Sequence, residues 1–543
     1  MSNMKGKMEQ SSQTPIVLAI LDGWGMSPAW GGNAISMADP KTMNTLWRDY
    51  PHAILQAFRQ VAGNYKMVGN SEIGHSSIGA GKIVFQDLER ISDCVADKSF
   101  FQNDALVGAC RNALSYNSSL HLIGLVSDGG IHSHIDHLYA LLKLAKLYQL
   151  PKVYIHVITD GMDTDSTSGL NFIIQLQKKI AEIGIGEIAT ITGRHYAMNR
   201  DNHWENISKS LQAMVHGTGN FATSAVELIS NSYKLGFNDQ YIPPTVIRND
   251  RGPICKILDN DSVIFFNYRP DRARQLTLAL LGMHNTGPKY PAPNSIYFVA
   301  FTPYYLPVVI ESKIHIAFPS EKVEQTLGKI IANAGLKQYR IAESEKYPHI
   351  SYFFNCGQEE PFPGEERVVV QSAEVTSFDQ KPEMEAAKIT AKLTAAVKSK
   401  KYQFMLVNYA NVDSVGHSGD LPATTAAVSI VDAVLKELSD AVLSVDGTLI
   451  VTADHGNAEQ MIEVKTGHDR ETFHSLSPVP FILVRSDLRG KNKNTLSGGD
   501  MLSGLISSKN SLADIAPTIL DLFGIPKPDS MTGHSLLSEI IVK

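Results

Sequence analysis

Three clusters of aspartate and histidine stand in the last third of the chain: Asp413-Ser414-Val415-Gly416-His417, Asp454-His455-Gly456-Asn457, and His474 ahead of Pro478-Val479-Pro480. If a helix begins at Asp413, the i, i+4 spacing puts its carboxylate and the His417 imidazole on one face, where they can share a metal. Adjacent Asp454 and His455 at a strand end can each reach a different ion. Aspartate and histidine ligands without cysteine suit Zn2+, Mn2+ or Fe2+ better than Mg2+, which prefers an all-oxygen shell. One D-x-x-x-H by itself is ordinarily a capping aspartate and a surface histidine. Three such elements after successive strands point to a metal centre instead.

Gly69-Asn70-Ser71-Glu72-Ile73-Gly74-His75 is the second element. Its glycines let the backbone bend and bring a serine hydroxyl close to a ligand, and a helix start offers N–H groups that favour phosphate. Alone, a serine before a glutamate reads as a helix cap. A hydroxyl is a weak nucleophile, and a coordinating divalent cation would activate it. The third group is basic: Arg194, Arg200, the pair Arg269 and Arg272 in Arg-Pro-Asp-Arg, and Lys346. Arginine forks match carboxylate and phosphate oxygens, whereas lysine acts as a compact charge. The fourth, Ser127 to His134, places His132 beside a glycine-rich turn, where an imidazole can exchange a proton with a substrate oxygen.

The elements that must position these residues read as alternating strands and helices. Apolar runs at Ile16–Leu21, Leu122–Val126, Val153–Ile158, Val263–Phe266, Phe404–Val407, Thr448–Val451 and Phe481–Val484 predict buried strands. Helical spacing recurs at Val428, Val431, Leu435, Leu438 and Val442, and at Ala386, Ile389, Leu393 and Val397 behind Pro382. The alternation predicts an α/β fold with parallel sheets covered on both faces, and chemistry collected at the C-terminal strand ends. Asp22, Asp160, Asn408 to Asp413, and Asp454-His455 all follow such strands. The Pro- and aromatic-rich segment Phe301–Pro319 reads as a connection between domains.

A chain of 543 residues that is 43% hydrophobic is long enough for two or more cores. A net charge of −6 and no long basic run exclude an electrostatic footprint for nucleic acid or a membrane surface. Met1 to Thr14 is polar, without the apolar centre of a secretory signal, and no spanning run of about 18 apolar residues occurs. A cytoplasmic address and a small-molecule partner are therefore expected. Cys94, Cys110, Cys255 and Cys356 are widely separated and offer neither a disulfide framework nor a thiolate metal site.

In this order, I-L-D-G-W-G at Ile20 to Gly25, G-N-S-E-I-G-H, S-D-G-G-I-H-S-H, R-P-D-R-A-R, N-Y-A-N-V-D-S-V-G-H and T-A-D-H-G-N-A-E-Q resemble the cofactor-independent phosphoglycerate mutases, a branch of the alkaline phosphatase superfamily. The resemblance runs from about Pro15 to the C-terminus. It implies two α/β domains: an alkaline-phosphatase-like metal-binding domain split in sequence (15–86 and 320–543, after a disordered tail 1–14), and an inserted phosphotransferase domain (87–319), with the active site between them. It implies that Asp413, His417 and His474 hold one metal ion, and that Asp22, Ser71, Asp454 and His455 hold another. Ser71 would be the nucleophile, and Lys346 would lower its proton affinity. His132, Asp163, Arg194, Arg200, Arg269, Arg272 and Lys346 would surround the substrate. The family interconverts 3-phosphoglycerate and 2-phosphoglycerate, usually with manganese; Mg2+, Zn2+ or Co2+ are the alternatives. A monomer is expected.

Charge makes sense of that inventory. Two divalent ions would offset Asp22, Asp413, Asp454 and a Ser71 alkoxide, leaving the arginines and lysine to bind an anionic phosphoglycerate. The sequence departs from the family pattern at Thr159-Asp160-Gly161-Met162-Asp163, where Met162 replaces an arginine, and at His203-Trp204-Glu205-Asn206, where His203 and Asn206 replace two more. The alternative function is a related metal-dependent phosphatase or phosphomutase acting on another small phosphorylated substrate.

Overall fold

A computed structural model describes residues 14–57, 59–60, 66–67, 69–283, 292–319, 322–463, 466–493 and 508–542. All but the last residue of the expected N-terminal tail lies outside them. The chain divides into two compact α/β units, Met1–Val84 with Lys322–Lys543, and Phe85–Glu321.

The first unit is built on a seven-stranded sheet in the order Glu365–Val370, Gln338–Glu343, Phe404–Tyr409, Ile16–Leu21, Thr448–Thr452, Val479–Val484, His52–Leu55. Ile16–Leu21 is apolar and buried throughout, as a central strand covered on both faces must be. Helix Leu421–Leu443, capped by the Asp420 side chain on Ala423 N, and helix Ala386–Ser399 turn their apolar stripes onto this core. Pro382 lies upstream of the latter helix, not in its first turn.

Phe404–Tyr409, Ile16–Leu21 and Thr448–Thr452 are parallel neighbours, with Leu21 opposite Tyr409 and Ile20 opposite Thr452. Their C-terminal ends therefore lie side by side. Asp22, Asp413 and Asp454 leave the sheet at that one place. Gly23 permits the closest approach: its φ is +77°, and a Cβ there would lie 2.8 Å from Asp413 Cα.

The sheet is not wholly parallel. Val479–Val484 pairs antiparallel with both of its neighbours. The reason is where the chain enters it: the preceding loop, with His474, already lies at the C-terminal edge, so the strand can only run back. An apolar run carries no mark of direction, which is why the sequence reading missed this.

The second unit carries a nine-stranded sheet whose continuous path runs Gly252–Pro253, Thr245–Asn249, Glu187–Gly193, Val153–Thr159, Leu120–Leu125, Ser262–Phe265, Tyr297–Ala300, Ile314–Ile316, with Asn220–Ala222 paired beside Thr245–Asn249. Thr245–Asn249 is antiparallel to Glu187–Gly193. Ile314–Ile316 extends the sheet beside Tyr297–Ala300. The segment Phe301–Pro319 is thus part of this unit's structure and not a linker, a correction to the reading from its composition. One polar chain crosses the interior of the sheet: Asp261 Oδ2 lies 3.0 Å from His121 Nε2, His121 Nδ1 3.0 Å from His156 Nε2, and His156 Nδ1 2.9 Å from Thr190 Oγ1. Among the described residues no helix is long and apolar enough to cross a membrane.

Candidate active site

Ser71 is the first residue of helix Ser71–Ala80. The cap is Asn70, whose side chain accepts from Ile73 N at 2.9 Å, so the serine hydroxyl is free of that duty. Its Oγ donates to Asp22 Oδ1 at 3.2 Å and lies 2.9 Å from His455 Nε2. Lys346 Nζ donates to the same oxygen at 2.7 Å, to Asp413 Oδ2 at 2.7 Å, and stands 3.1 Å from Asp22 Oδ2. Burial alone would depress the lysine pKa, but Asp22, Asp413 and Asp454 outweigh it and hold the ammonium well above its ordinary range. Burial, with Asp454 nearby, raises the Asp22 pKa, while Lys346 overcomes the burial of Asp413 and holds it well down.

Helix Asn411–Gly416 starts two residues before Asp413 and puts that carboxylate 3.4 Å from His417 Nε2. His474 Nε2 is 3.2 Å from the same Asp413 oxygen and 3.1 Å from His417 Nε2. The ring orientations follow from hydrogen bonding. His417 Nδ1 lies 2.9 Å from Thr472 O, His474 Nδ1 2.9 Å from Gly69 O, and His455 Nδ1 3.3 Å from Gly456 O. A carbonyl oxygen only accepts, so in each ring Nδ1 carries the proton and Nε2 points its lone pair inward. The Asp413 carboxylate raises the pKa of His417, and at His474 burial and the neighbouring His417 pull the pKa down but Asp413 outweighs them and raises it.

The residues present fit divalent cations. Asp22, Asp413 and Asp454 are 0%, 1% and 0% exposed, and Lys346 meets Asp22 and Asp413. Asp454 Oδ2 is buried without a hydrogen-bond donor, with His75 Nδ1 at 3.2 Å directing its own bond to Ser71 O. Buried carboxylates in excess of their counter-charges are costly without a cation. The ligand atoms are oxygen and nitrogen. Asp413, His417 and His474 form one group with metal-ligand spacing; Asp22, Asp413 and His455 form a second; Asp22, His75 and Asp454 form a third.

The remaining candidates, Lys346 apart, all lie in the second unit. Arg194 is buried and donates to both Asp160 Oδ1 and, at 2.8 Å, Asp163 Oδ2. Asp271 pairs with Arg200 at 3.1 Å and Arg269 at 3.3 Å. His132 stands 4.0 Å from each of Asp163 and Asp271. Arg272 donates to Met198 O at 3.3 Å, and burial together with Arg200 and Arg194 lowers its pKa. His132 Nδ1 and Arg194 Nε are buried and make no hydrogen bond within the protein, so both are available to an external acceptor or donor. Burial and the neighbouring arginines push the His132 pKa down to about 4, so it is a neutral hydrogen-bonding group at pH 7 and a poor proton store. Met162 is 55% exposed, next to Asp163.

His75 and Asp271 had no role from the sequence, and Asp160 and Asn408 only a place at a strand end. Asn408 Nδ2 meets both Asp22 Oδ2, at 2.7 Å, and His75 Nε2, at 3.0 Å. The signals were there: His75 sits four residues after Ser71, Asn408 is a polar residue ending an apolar strand, and Asp271 lies between two arginines.

Comparison with known proteins shows the family. The family model described as the BPG-independent PGAM N-terminus matches residues 91–306, and that of type I phosphodiesterase / nucleotide pyrophosphatase matches residues 333–495. A 2,3-bisphosphoglycerate-independent phosphoglycerate mutase of Clostridioides difficile is 44% identical over 526 residues, covering 97% of this chain and 99% of its own. One from Rippkaea orientalis is 44% identical, covering 98% and 97%. A phosphoglycerate mutase structure from Leishmania mexicana, determined at low cobalt concentration, superposes with a TM-score of 0.65 at 28% identity, covering 98% of each chain. With such identity sustained from end to end, the chain belongs to the 2,3-bisphosphoglycerate-independent phosphoglycerate mutases.

Proposed function

We propose that the protein interconverts 3-phosphoglycerate and 2-phosphoglycerate through a phosphoserine at Ser71. The observation that carries this is the Ser71 hydroxyl at a helix start, 2.7 Å from the Lys346 ammonium, 2.9 Å from His455 Nε2 and 3.2 Å from the buried Asp22 carboxylate. Lys346 lowers the proton affinity of Oγ, which forms the new bond to phosphorus as the bond to the glycerate oxygen breaks, the serine proton ending on that leaving oxygen. The glycerate then turns while held, and its other hydroxyl takes the phosphoryl group back from Ser71. The reaction needs water kept from phosphoserine while the glycerate is retained.

Two divalent cations fit the first unit, one on Asp413, His417 and His474 and one on Asp22, Ser71, Asp454 and His455, with manganese the leading choice. When bound they polarise the phosphoryl oxygens and stabilise the serine oxyanion. In the second unit, Arg194, Arg200, Arg269 and Arg272 bind the anionic substrate. Asp163 and Asp271 hold these forks in place, and neutral His132 hydrogen-bonds a hydroxyl or carboxylate. We assign residues 15–86 and 320–543 to the metal-binding domain and 87–319 to the phosphotransferase domain, acting as a cytoplasmic monomer.

A coupled assay with 3-phosphoglycerate and Mn2+, with no 2,3-bisphosphoglycerate and with free phosphate recorded, tests this. Turnover lost on chelation and regained with Mn2+ is expected, with intact mass showing phosphoprotein in wild type and none in Ser71→Ala. An absolute need for the bisphosphate primer would overturn the reading. Phosphate release as fast as isomerisation would favour a phosphatase.

A further inference from the structure

Glu459, in the T-A-D-H-G-N-A-E-Q segment, has no part in the chemistry above, yet its carboxylate is fully buried. Oε2 accepts from Gly25 N at 3.1 Å and Asn457 N at 3.0 Å, and Oε1 accepts from the Ser475 hydroxyl. Among the described residues no lysine, arginine or histidine pairs with it. Its three donors belong to three separate loops. Gly25 lies three residues after Asp22, Asn457 two after His455, and Ser475 directly after His474. Asn457 also donates through Nδ2 to Asp413 Oδ1 at 2.9 Å, and Ser475 N bonds Gly456 O at 2.9 Å.

The surroundings are shaped to the carboxylate. A Cβ on Gly25 would come within 2.2 Å of Glu459 Oε2, and a Cβ on Gly456 within 2.5 Å of Oε1. Both neighbours are glycines, and the carboxylate fills the space a side chain would take. Without it, the Ser475 hydroxyl would lose its acceptor, the Gly25 and Asn457 N–H groups would keep only Gly23 O, at 3.2 and 3.0 Å, and the His474 loop would lose its side-chain tie to the other two.

We propose that Glu459 is a positioning residue for metal binding: by hydrogen bonding it holds the Asp22, Asp454–His455 and His474 loops at the separation their ligand atoms need. Its hydrogen bonds go to Gly25, Asn457 and Ser475, none to Ser71 Oγ. The proposal rests on the metal-centre reading given above. Because the role is hydrogen bonding and not charge, a glutamine should replace it. Its Oε1 can accept from Gly25 N and Asn457 N while its Nε2 donates to the Ser475 hydroxyl.

The test is direct Mn2+ binding to the full chain, read from the loss of the free Mn2+ electron paramagnetic resonance signal, beside kcat and KM across a Mn2+ titration. Glu459→Ala should raise the Mn2+ concentration for half-saturation by about 10- to 100-fold. Saturating Mn2+ should then return kcat toward the wild-type value with KM for 3-phosphoglycerate unchanged. Glu459→Gln should keep the half-saturation within about threefold, well short of that loss. Ser475→Ala, which deletes one donor and little volume, should shift it in the same direction by less, and it decides the matter if Glu459→Ala does not fold. Unchanged Mn2+ affinity in Glu459→Ala, or in Ser475→Ala where that stands in for it, overturns the proposal. A Glu459→Gln protein as weak as Glu459→Ala overturns the hydrogen-bonding role. A wild type that binds no Mn2+ would instead overturn the metal centre itself.

Discussion

Replacing Lys346 with methionine keeps an unbranched side chain, one atom shorter, and removes its charge. The ammonium gives charge-assisted hydrogen bonds to Ser71 Oγ and Asp413 Oδ2, each at 2.7 Å, and stands 3.1 Å from Asp22 Oδ2. A hydrogen bond to a charged group contributes about 1.5–3 kcal/mol. If that bond stabilises the developing Ser71 alkoxide, its loss should slow phosphoserine formation by about 10- to 150-fold. The variant should also behave differently with and without metal. In chelator, three buried carboxylates lose their lysine, and breaking such a buried arrangement costs about 3–5 kcal/mol. Saturating Mn2+ supplies the missing positive charge, so most of that destabilisation should vanish while the slow chemistry remains. Rapid-quench intact-mass measurement of Ser71 phosphorylation gives the rate, and denaturant unfolding in chelator and in Mn2+ gives the stability arm. Phosphorylation within about twofold of wild type at saturating Mn2+, far short of that range, would refute the argument. An equal stability loss in both conditions would refute its electrostatic part.

Met162→Arg should raise kcat/KM on 3-phosphoglycerate by about 10- to 150-fold if one charge-assisted substrate contact is missing; an unchanged value would show that the methionine, 55% exposed beside Asp163, has no bearing on binding. Acid should destabilise the metal-free protein. Burial holds the pKa of His132 at about 4 and those of His137 and His349 at about 3, against 6.5 in an unfolded chain. The unfolded state therefore binds more protons in that interval. Stability is complete above pH 6.5 and lost as pH falls towards 3–4, by up to about 3 kcal/mol for His132 alone. Unfolding curves from pH 7 to 4 should fall less steeply in His137→Gln, and an identical slope would contradict the assignment. His156→Leu strands His121 Nδ1 and Thr190 Oγ1 inside the sheet of the second unit. It should cost about 1–3 kcal/mol for each, and denaturant unfolding indistinguishable from wild type would show the chain to be dispensable.

The sequence by itself determined the strands whose apolar runs need no partner to be recognised, Ile16–Leu21 above all, and the residue types of the metal centre, because few side chains other than aspartate and histidine do that work. Through the family resemblance carried by a motif contiguous in the chain, it also made Ser71 the nucleophile candidate. Tertiary structure decided what depends on groups distant in sequence. The inward lone pair of His474 is set by a carbonyl 405 residues away. The place of Lys346 is set by three carboxylates on three strand ends, and the service of Glu459 by backbone donors that only the folded loops assemble. Strand direction belongs with these: the apolar pattern of Val479–Val484 reads alike in either sense, and only the point at which the chain re-enters the sheet makes it run backwards. Periodicity and composition record which face a residue turns to the core. They do not record which remote polar atom it will meet there, since that follows from register and loop geometry fixed by the whole sheet.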